Sequence, residues 1–191
     1  MQAGITAYRQ LIRTAGITCC FFISACKNDV KQIDELTKKV IMKEEAYQVE
    51  SYLSQSGNMK AKLTAPLMIR YLADTIYVEF TRSLHCDFYD SLGHKETWLD
   101  AKYGKYFESQ NKVYLRDSVV VINTKGDTLK SQDLWWDQNL KLFYTDKPAD
   151  YLSPDKKLYP KYGIEATQDF SRVTFREPTG IIKTKEDGSL Q

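Results

Sequence analysis

The stretch TIYVEFTRSLHCDF, residues 75–88, decides the fold class of this chain. In its two halves every second residue is apolar: Ile76, Val78 and Phe80, then Leu84, Cys86 and Phe88. Polar residues such as His85 and Asp87 lie between them in the second half. Successive side chains of a β-strand point to opposite faces, so this period of two predicts two half-buried strands.

The same period continues outward from this stretch. Alternation recurs at residues 112–116 and 140–144, where Leu140 and Leu142 are expected on the apolar face, and residues 119–122 form a β-branched run. Turn-forming residues separate the runs, and no stretch after residue 46 has helical periodicity. Residues 147–161 hold three of the five prolines and are expected to form a long loop. The pattern predicts an all-β sandwich, barrel or roll.

A weak internal repeat runs through the predicted strands. An aliphatic–polar–small triplet recurs four times, with Ala65, Ala101, Ser131 and Ala166 as the small residues. Strict alternation is broken after the triplets, which predicts a bulge or bend there. The repeat favours strand–bend–strand units stacked on one another.

Composition and charge exclude several classes of protein. The chain has 191 residues, 42% of them hydrophobic, which suits one domain with a sizeable core. The net charge of +2 comes from Arg9 and Arg13, and the chain after residue 25 is neutral. A neutral domain has no charge excess to attract nucleic acid, so no nucleic-acid partner is expected. The sequence contains no apolar run of 18 residues, so no ordinary membrane-spanning helix is predicted.

The first 25 residues have the pattern of a secretory signal peptide. A basic start is followed by the short apolar run 15–23 and then by Ser24 and Ala25. Residues 23–26, ISAC, resemble a lipobox, which implies cleavage before Cys26 and lipidation of that cysteine. The predicted organisation is a signal peptide over 1–25, a charged tether with at most one short helix over 26–45, a β-domain over 46–183 and a disordered tail over 184–191.

No catalytic, metal or cofactor motif is present in the mature chain. Cys86 would be the one cysteine left after cleavage and lipidation, so no internal disulfide is possible, and its alternation with apolar residues predicts a buried, inert thiol. His85 and His94 lack the companion ligands of a metal site. The sequence therefore predicts a protein that is not an enzyme and carries no cofactor, although its many carboxylates leave open a small lipoprotein hydrolase.

Beyond these patterns, the order and spacing of several segments resemble the LptC family, the periplasmic component of the lipopolysaccharide export machine, and more loosely its relative LptA. The segments that carry the resemblance, spread over residues 46–183, are FYDSLG (88–93), LDA (99–101), VYLRDSVVV (113–121), GDTLKSQDLWWD (126–137), GIEATQDF (163–170) and PTG (178–180).

The resemblance implies an antiparallel β-jellyroll with an open, slit-like apolar groove. It implies that the protein accepts lipopolysaccharide from an inner-membrane ABC transporter and passes it to an LptA-like periplasmic bridge protein. The protein would then be periplasmic and lipid-anchored, with the inner membrane favoured. Many members begin with a membrane-spanning helix, whereas this chain has a lipobox.

The apolar strand faces supply the candidate groove-lining residues: Val78, Phe80, Leu84, Phe88, Leu99, Ala101, Val113, Leu115, Val119, Val121, Leu134, Trp136, Leu140 and Leu142. Each of them is equally compatible with a closed core. Trp135 and Trp136 are expected to point to opposite faces of their strand. A glycan-binding β-sandwich lipoprotein, with exposed Trp135 stacking on sugars, is the alternative function.

Overall fold

The computed structural model describes residues 42–55, 57–72 and 75–183, which form strands, turns and a 3₁₀ turn at Glu108–Gln110. The strands are β1 (Met42–Gln55), β2 (Asn58–Leu72), β3 (Tyr77–Phe80), β4 (Leu84–Tyr89), β5 (Lys95–Ala101), β6 (Tyr103–Phe107), β7 (Lys112–Asn123), β8 (Thr128–Asp137), β9 (Leu142–Thr145), β10 (Ala149–Leu152), β11 (Lys156–Pro160), β12 (Ile164–Thr167), β13 (Val173–Phe175) and β14 (Pro178–Ile182).

These strands form one continuous antiparallel sheet that folds over into two walls. The first wall runs from the second half of β2 through β3, β6, the first half of β7, the second half of β8 and β9 to β12 and β13. The second wall runs from the first half of β2 through β4, β5, the second half of β7, the first half of β8 and β10 to β11 and β14. This is the expected all-β, antiparallel jellyroll.

The three long strands β2, β7 and β8 belong to both walls because each changes its partner along its length. β2 passes from β4 to β3 between Thr64 and Ile69. β7 has a register shift at Asp117 and Ser118, whose φ angles are 64° and 60°. β8 leaves β10 after Ser131 and later joins β9. Left-handed φ angles are costly for residues other than glycine, and here they mark the crease between the walls.

The bends predicted from the internal repeat are present after three of its four small residues. Ala65 lies where β2 changes partner, Ala101 ends β5 just before β6, and Ser131 faces the bulge in β7. Ala166 lies inside regular pairing with β9 and β13, so no bend follows it directly.

Buried side chains from both walls meet in the space between them. Phe88 of the second wall packs edge-on against Trp136 and Phe143 of the first wall, with ring centroids 4.8 and 5.7 Å away. Leu115 and Val121 on β7 are almost completely buried, and so is Leu134 on β8. Burial of apolar surface stabilises such a core by about 25 cal/mol per Å².

Two stretches expected to lack strands contain them. Strand β1 includes residues 42–45, which the sequence pattern assigns to the tether because this edge strand is exposed on nearly all of its length and does not alternate. The expected loop over residues 147–161 contains β10 and β11, since its prolines lie beside or at the end of these strands: Pro148, Pro154 and Pro160. The signal peptide, Cys26, most of the tether and the tail lie outside the described residues.

The face assigned to Leu140 and Leu142 is wrong. Leu140 lies in the turn before β9 and is 69% exposed, and in β9 it is Phe143 and Thr145 that face the core. A turn between β8 and β9 shifts the phase by one residue, and a one-residue shift moves every side chain of a strand to the other face.

Candidate functional site

Two neighbouring cavities lie along the opening between the walls. The inner cavity has a volume of about 340 Å³ and the mouth cavity one of about 510 Å³. Both are lined by Leu53, Ala61, Trp136 and Gln138, so they adjoin through a common boundary. We call the two cavities together the slit.

The inner cavity lies between the walls beside the β1–β2 hairpin and has a mostly apolar lining. β2 contributes Leu63 and Met68, and β1 contributes Tyr52 at the rim. The other apolar or aromatic lining residues are Leu53, Ala61, Val78, Phe80, Cys86, Tyr106, Val113 and Trp136. A surface of this kind holds hydrocarbon in preference to water.

A charged pair accompanies this apolar lining. The guanidinium of Arg70 donates to both carboxylate oxygens of Glu108, from Nε at 3.0 Å and from a terminal nitrogen at 3.2 Å. Both side chains are about one-third exposed, so water also solvates the two charges. The polar groups of the inner cavity therefore include a neutralised ion pair.

Cys86 is buried, as predicted, and its side chain forms part of the inner cavity's lining. Burial, with a smaller contribution from the charge of Asp87, raises the pKa of the Cys86 thiol. A neutral thiol in an apolar site acts as a small apolar side chain rather than as a nucleophile.

Aspartate side chains fix a turn on each side of the mouth cavity. On the first wall, Asp137 accepts from the backbone N–H of Leu140 at 3.0 Å and pairs with Lys112 at 3.1 Å. Burial opposes ionisation of Asp137, but these donors outweigh it and hold its pKa below the usual value. On the second wall, Asp90 accepts from the backbone N–H groups of Leu92 and His94 at 2.8 and 2.9 Å.

The opposite side of the roll is filled. Phe143 is fully buried, and Tyr151 packs edge-on against Phe170 and Phe175. Burial, with hydrogen bonding and charge from Asp127, raises the pKa of Tyr151 to about 12. The Thr97 hydroxyl donates to the carbonyl of Gln168 at 2.7 Å, which ties the second wall to the end of β12.

The fourteen predicted lining residues separate into distinct groups. Lining residues of the inner cavity are Val78, Phe80, Val113 and Trp136, and those of the mouth cavity are Phe88, Leu140 and again Trp136. Leu84 and Ala101 line a separate pocket beside the crease. Leu142 is half-exposed on the outer face of β9, and the remaining five are almost fully buried in the core: Leu99, Leu115, Val119, Val121 and Leu134.

The sequence argument missed the β1–β2 part of the lining. Ala61 and Leu63 alternate with lysines on β2, a signal that could have been read, and Met68 follows beyond the bend. Tyr52 and Leu53 on β1 have no such signal because their strand is exposed on both faces. These residues enclose the cavity only because β1 pairs along the whole of β2.

Trp135 and Trp136 point to opposite faces, as predicted. Trp136 is 7% exposed between the walls, whereas Trp135 is half-buried on the outer face of the first wall. There its ring lies 5.0–6.4 Å, centroid to centroid, from the rings of Phe107, Tyr114 and Tyr144. We call these four residues the outer aromatic cluster.

Comparison with known proteins adds to this geometry. The family model described as lipopolysaccharide-assembly, LptC-related, matches residues 15–157, more than half of the chain. Comparison with curated proteins gives no match. Within the described residues, no helix is both long and apolar enough to cross a membrane.

The matched family has a defined general role. It is a non-enzymatic family of lipopolysaccharide transport, and its members are periplasmic and membrane-associated. The double-walled roll agrees with the fold that the sequence resemblance implied. The extent of the match establishes that this chain belongs to the LptC family.

Proposed function

We propose that this protein accepts lipopolysaccharide from an inner-membrane ABC transporter and passes it to an LptA-like bridge protein. The observation that carries the proposal is the mostly apolar lining of the inner cavity, which lies between the walls and adjoins the mouth cavity. Acyl chains would lie in the slit, shielded from water, and the anionic sugar head would remain outside. Each Å² of apolar surface removed from water contributes about 25 cal/mol to such binding.

Transfer of this kind needs no bond to be made or broken. The protein would lower the free energy of an acyl chain outside the membrane, and ATP hydrolysis in the transporter would supply the direction. The neutral Cys86 thiol and the paired Arg70 and Glu108 in the cavity lining are consistent with a binding role.

The edges of the roll offer places for neighbouring proteins to add strands. Within the described residues β1 pairs only with β2, and β14 pairs only with β11, so each has an outer edge without a strand partner. Exposed apolar residues lie on both edge strands, including Tyr47 on β1 and Ile181 on β14. We propose that these edges join the adjacent machine components by β-augmentation.

Photocrosslinking in cells tests the transport proposal. A photoreactive residue at Leu63 lies in the inner cavity, and one at the neighbouring Lys62 lies on the other face of the same strand. We expect lipopolysaccharide adducts at position 63 but not at 62, and their loss when the transporter's ATPase is inactivated. Absence of adducts at 63, in a variant that accumulates normally, would contradict the proposal.

A lipid anchor at Cys26 is the second part of the proposal. Fifteen residues separate Cys26 from Met42, and such a chain spans at most about 50 Å when extended. The anchor would therefore keep the β1 end of the roll close to the membrane. Labelling cells with an alkyne fatty acid should mark the wild-type protein but not Cys26→Ala, and equal labelling would contradict the anchor.

Glycan binding remains a second candidate because of the outer aromatic cluster. Trp135 and Tyr144 are cross-strand neighbours whose rings lie nearly parallel, with an angle of 12° between them, on the outer face of the first wall. Titration with the delipidated saccharide of lipopolysaccharide separates the two functions. Binding that is lost in Trp135→Ala and kept in Leu63→Asp would favour the glycan function.

A further inference from the structure

The turn between β12 and β13, residues 168–171, reaches across the opening between the walls. It follows β12 on the first wall, where the backbone N–H of Gln168 donates to the carbonyl of Lys141 at 2.9 Å. The carbonyl of Gln168 accepts from the hydroxyl of Thr97 on the second wall at 2.7 Å. Thr97 is fully buried, which shields this bond from competing water. We call residues 168–171 the strap.

The ring of Phe170 attaches the strap to the second wall at another point. Phe170 is buried, and its ring lies edge-on to that of Tyr151 on β10, 6.2 Å away from centroid to centroid. The φ angle of Phe170 is 55°, a left-handed conformation that is unfavourable for a residue with a Cβ. The contacts with Thr97 and Tyr151 therefore offset a backbone cost in the closed strap.

The other hydrogen bonds of the strap stay on its own wall. The backbone N–H of Phe170 donates to the carbonyl of Thr167 at 2.9 Å. The carboxylate of Asp169 accepts from the backbone N–H and the hydroxyl of Ser171 at 3.0 and 2.8 Å. These bonds would persist if the strap moved away from the second wall, so its closed position depends on the Thr97 bond and the Phe170 ring.

Like charges face each other beside these contacts. Asp169 of the strap and Glu96 of the second wall both line the mouth cavity. Burial, together with the negative charges of Asp169 and Asp90, raises the pKa of Glu96, and the positive charges of Lys125 and Lys141 offset part of this effect. Repulsion between the carboxylates favours movement of the strap away from the second wall, so charge partly opposes the contacts that close it.

The strap lies where the slit ends. The lining of the mouth cavity extends from Leu53 and Ala61, which also line the inner cavity, to residues of the strap. Beyond it, the buried side chains of Phe170 and Tyr151 fill the space between the walls. A chain that passes from the inner cavity along the mouth cavity therefore meets the strap.

We propose that the strap is the stop of the slit and sets the length of acyl chain that the slit accepts. This inference rests on the proposed lipid-binding function and assigns a chain-length specificity to the same site. A chain that reaches the strap gains nothing from further methylene groups because these remain in water. Release of the strap would extend the slit towards β13, and longer chains would then be accepted.

A series of alkyl maltosides from octyl to hexadecyl tests the stop because the head group is constant. Each buried methylene raises the affinity roughly fourfold, so titration calorimetry below each critical micelle concentration should show affinity that rises and then levels off in the wild type. Thr97→Val removes the hydroxyl that holds the strap, and Phe170→Ala removes its ring. In both variants the levelling should move to chains longer by about two carbons, whose affinity should exceed that in the wild type about tenfold.

Phe175→Ala is the matched control. The ring of Phe175 also packs edge-on against Tyr151, at 5.1 Å, but it belongs to β13 and not to the strap. Its loss should leave the levelling at the same chain length. If neither strap variant moves the levelling, or if Phe175→Ala moves it equally, the stop is overturned and the lipid-binding slit stays intact. If no maltoside binds the wild type, the slit and its stop are overturned together.

Discussion

The side of the roll next to β1 and β2 and the side formed by β9–β12 have the same two-walled backbone and opposite interiors. Beside β2 the space between the walls is a cavity of about 340 Å³, bordered by Ala61, Leu63 and Met68. Beyond the mouth cavity, whose lining reaches Thr167 at the end of β12, the space is filled by the buried side chains of Phe143, Tyr151 and Phe170. We call these the open side and the closed side.

The difference lies in side-chain volume rather than in strand pairing. Both sides are built from antiparallel ladders of the same sheet. Aromatic rings close the space between the walls on one side, and small or flexible side chains leave it unfilled on the other. The closed side should therefore carry the stability of the domain and the open side its binding, which the following changes test in order of expected effect.

Gly163→Ala should have the largest effect because it acts on the backbone of the closed side. Gly163 has a φ of 110°, and an added Cβ would overlap the backbone carbonyl oxygen of Thr145. We expect a loss of at least about 3 kcal/mol in the free energy of unfolding, or no folded protein. Gly93→Ala is the control: its φ is 85° but no atom lies near its added Cβ, so urea denaturation should show a loss of only about 1–2 kcal/mol.

Leu115→Ala and Leu63→Ala should separate stability from binding. Leu115 is 1% exposed in the packed core between the two sides, and its truncation should lower the free energy of unfolding in urea denaturation by about 2–5 kcal/mol. Leu63 is half-buried beside the cavity, so its loss should cost only about 1 kcal/mol. The affinity for dodecyl maltoside, measured by titration calorimetry, should follow the reverse order and fall further in Leu63→Ala than in Leu115→Ala. If both changes weaken stability and binding in the same proportion, the packed core and the cavity lining are not functionally distinct.

Asp137→Asn tests the turn beside the mouth cavity. We expect the free energy of unfolding to fall by about 1–2 kcal/mol near neutral pH. The pKa of Asp137 is lowered in the folded state, so the unfolded chain takes up its proton first as the solution is acidified. This stabilisation is present above the ordinary value of 3.8 and disappears as the pH falls through the folded value. The difference in the free energy of unfolding between wild type and variant should therefore become smaller on acidification. A difference that does not change with pH would contradict this account.

Leu140→Ser should have the smallest effect. Leu140 is 69% exposed in the turn, so the free energy of unfolding should change by no more than about 0.5 kcal/mol. The nearby Phe143→Ala should cost about 3–5 kcal/mol because Phe143 is fully buried. If Leu140→Ser and Phe143→Ala lower the melting temperature by similar amounts, the face assignment made from the sequence would be right.

The all-β fold could be predicted because its strands have one buried and one exposed face. Val78, Phe80, Leu84, Cys86 and Phe88 alternate in the sequence and are all buried. β1 could not be predicted in this way, since both of its faces meet solvent and its residues do not alternate. β10 and β11 could not be predicted because prolines lie beside or at the end of each strand.

The site was less predictable than the fold for a physical reason. An apolar residue that packs in a core and one that borders an empty space have the same hydropathy. Leu115 and Val113 lie two positions apart on one face of β7, yet only Val113 borders the inner cavity. What separates them is the volume of the residues opposite, which depends on the register across the walls and not on the local pattern.

The continuity of β7 and β8 through the crease determines how the slit can change its width. Because these strands run from one wall into the other, the walls cannot separate as independent layers without breaking their own hydrogen bonds. The β7–β8 ladder is already interrupted at Asp117 and Ser118. A bend at this point would therefore change the width of the slit while the β7–β8 hydrogen bonds on either side of the bulge stay intact.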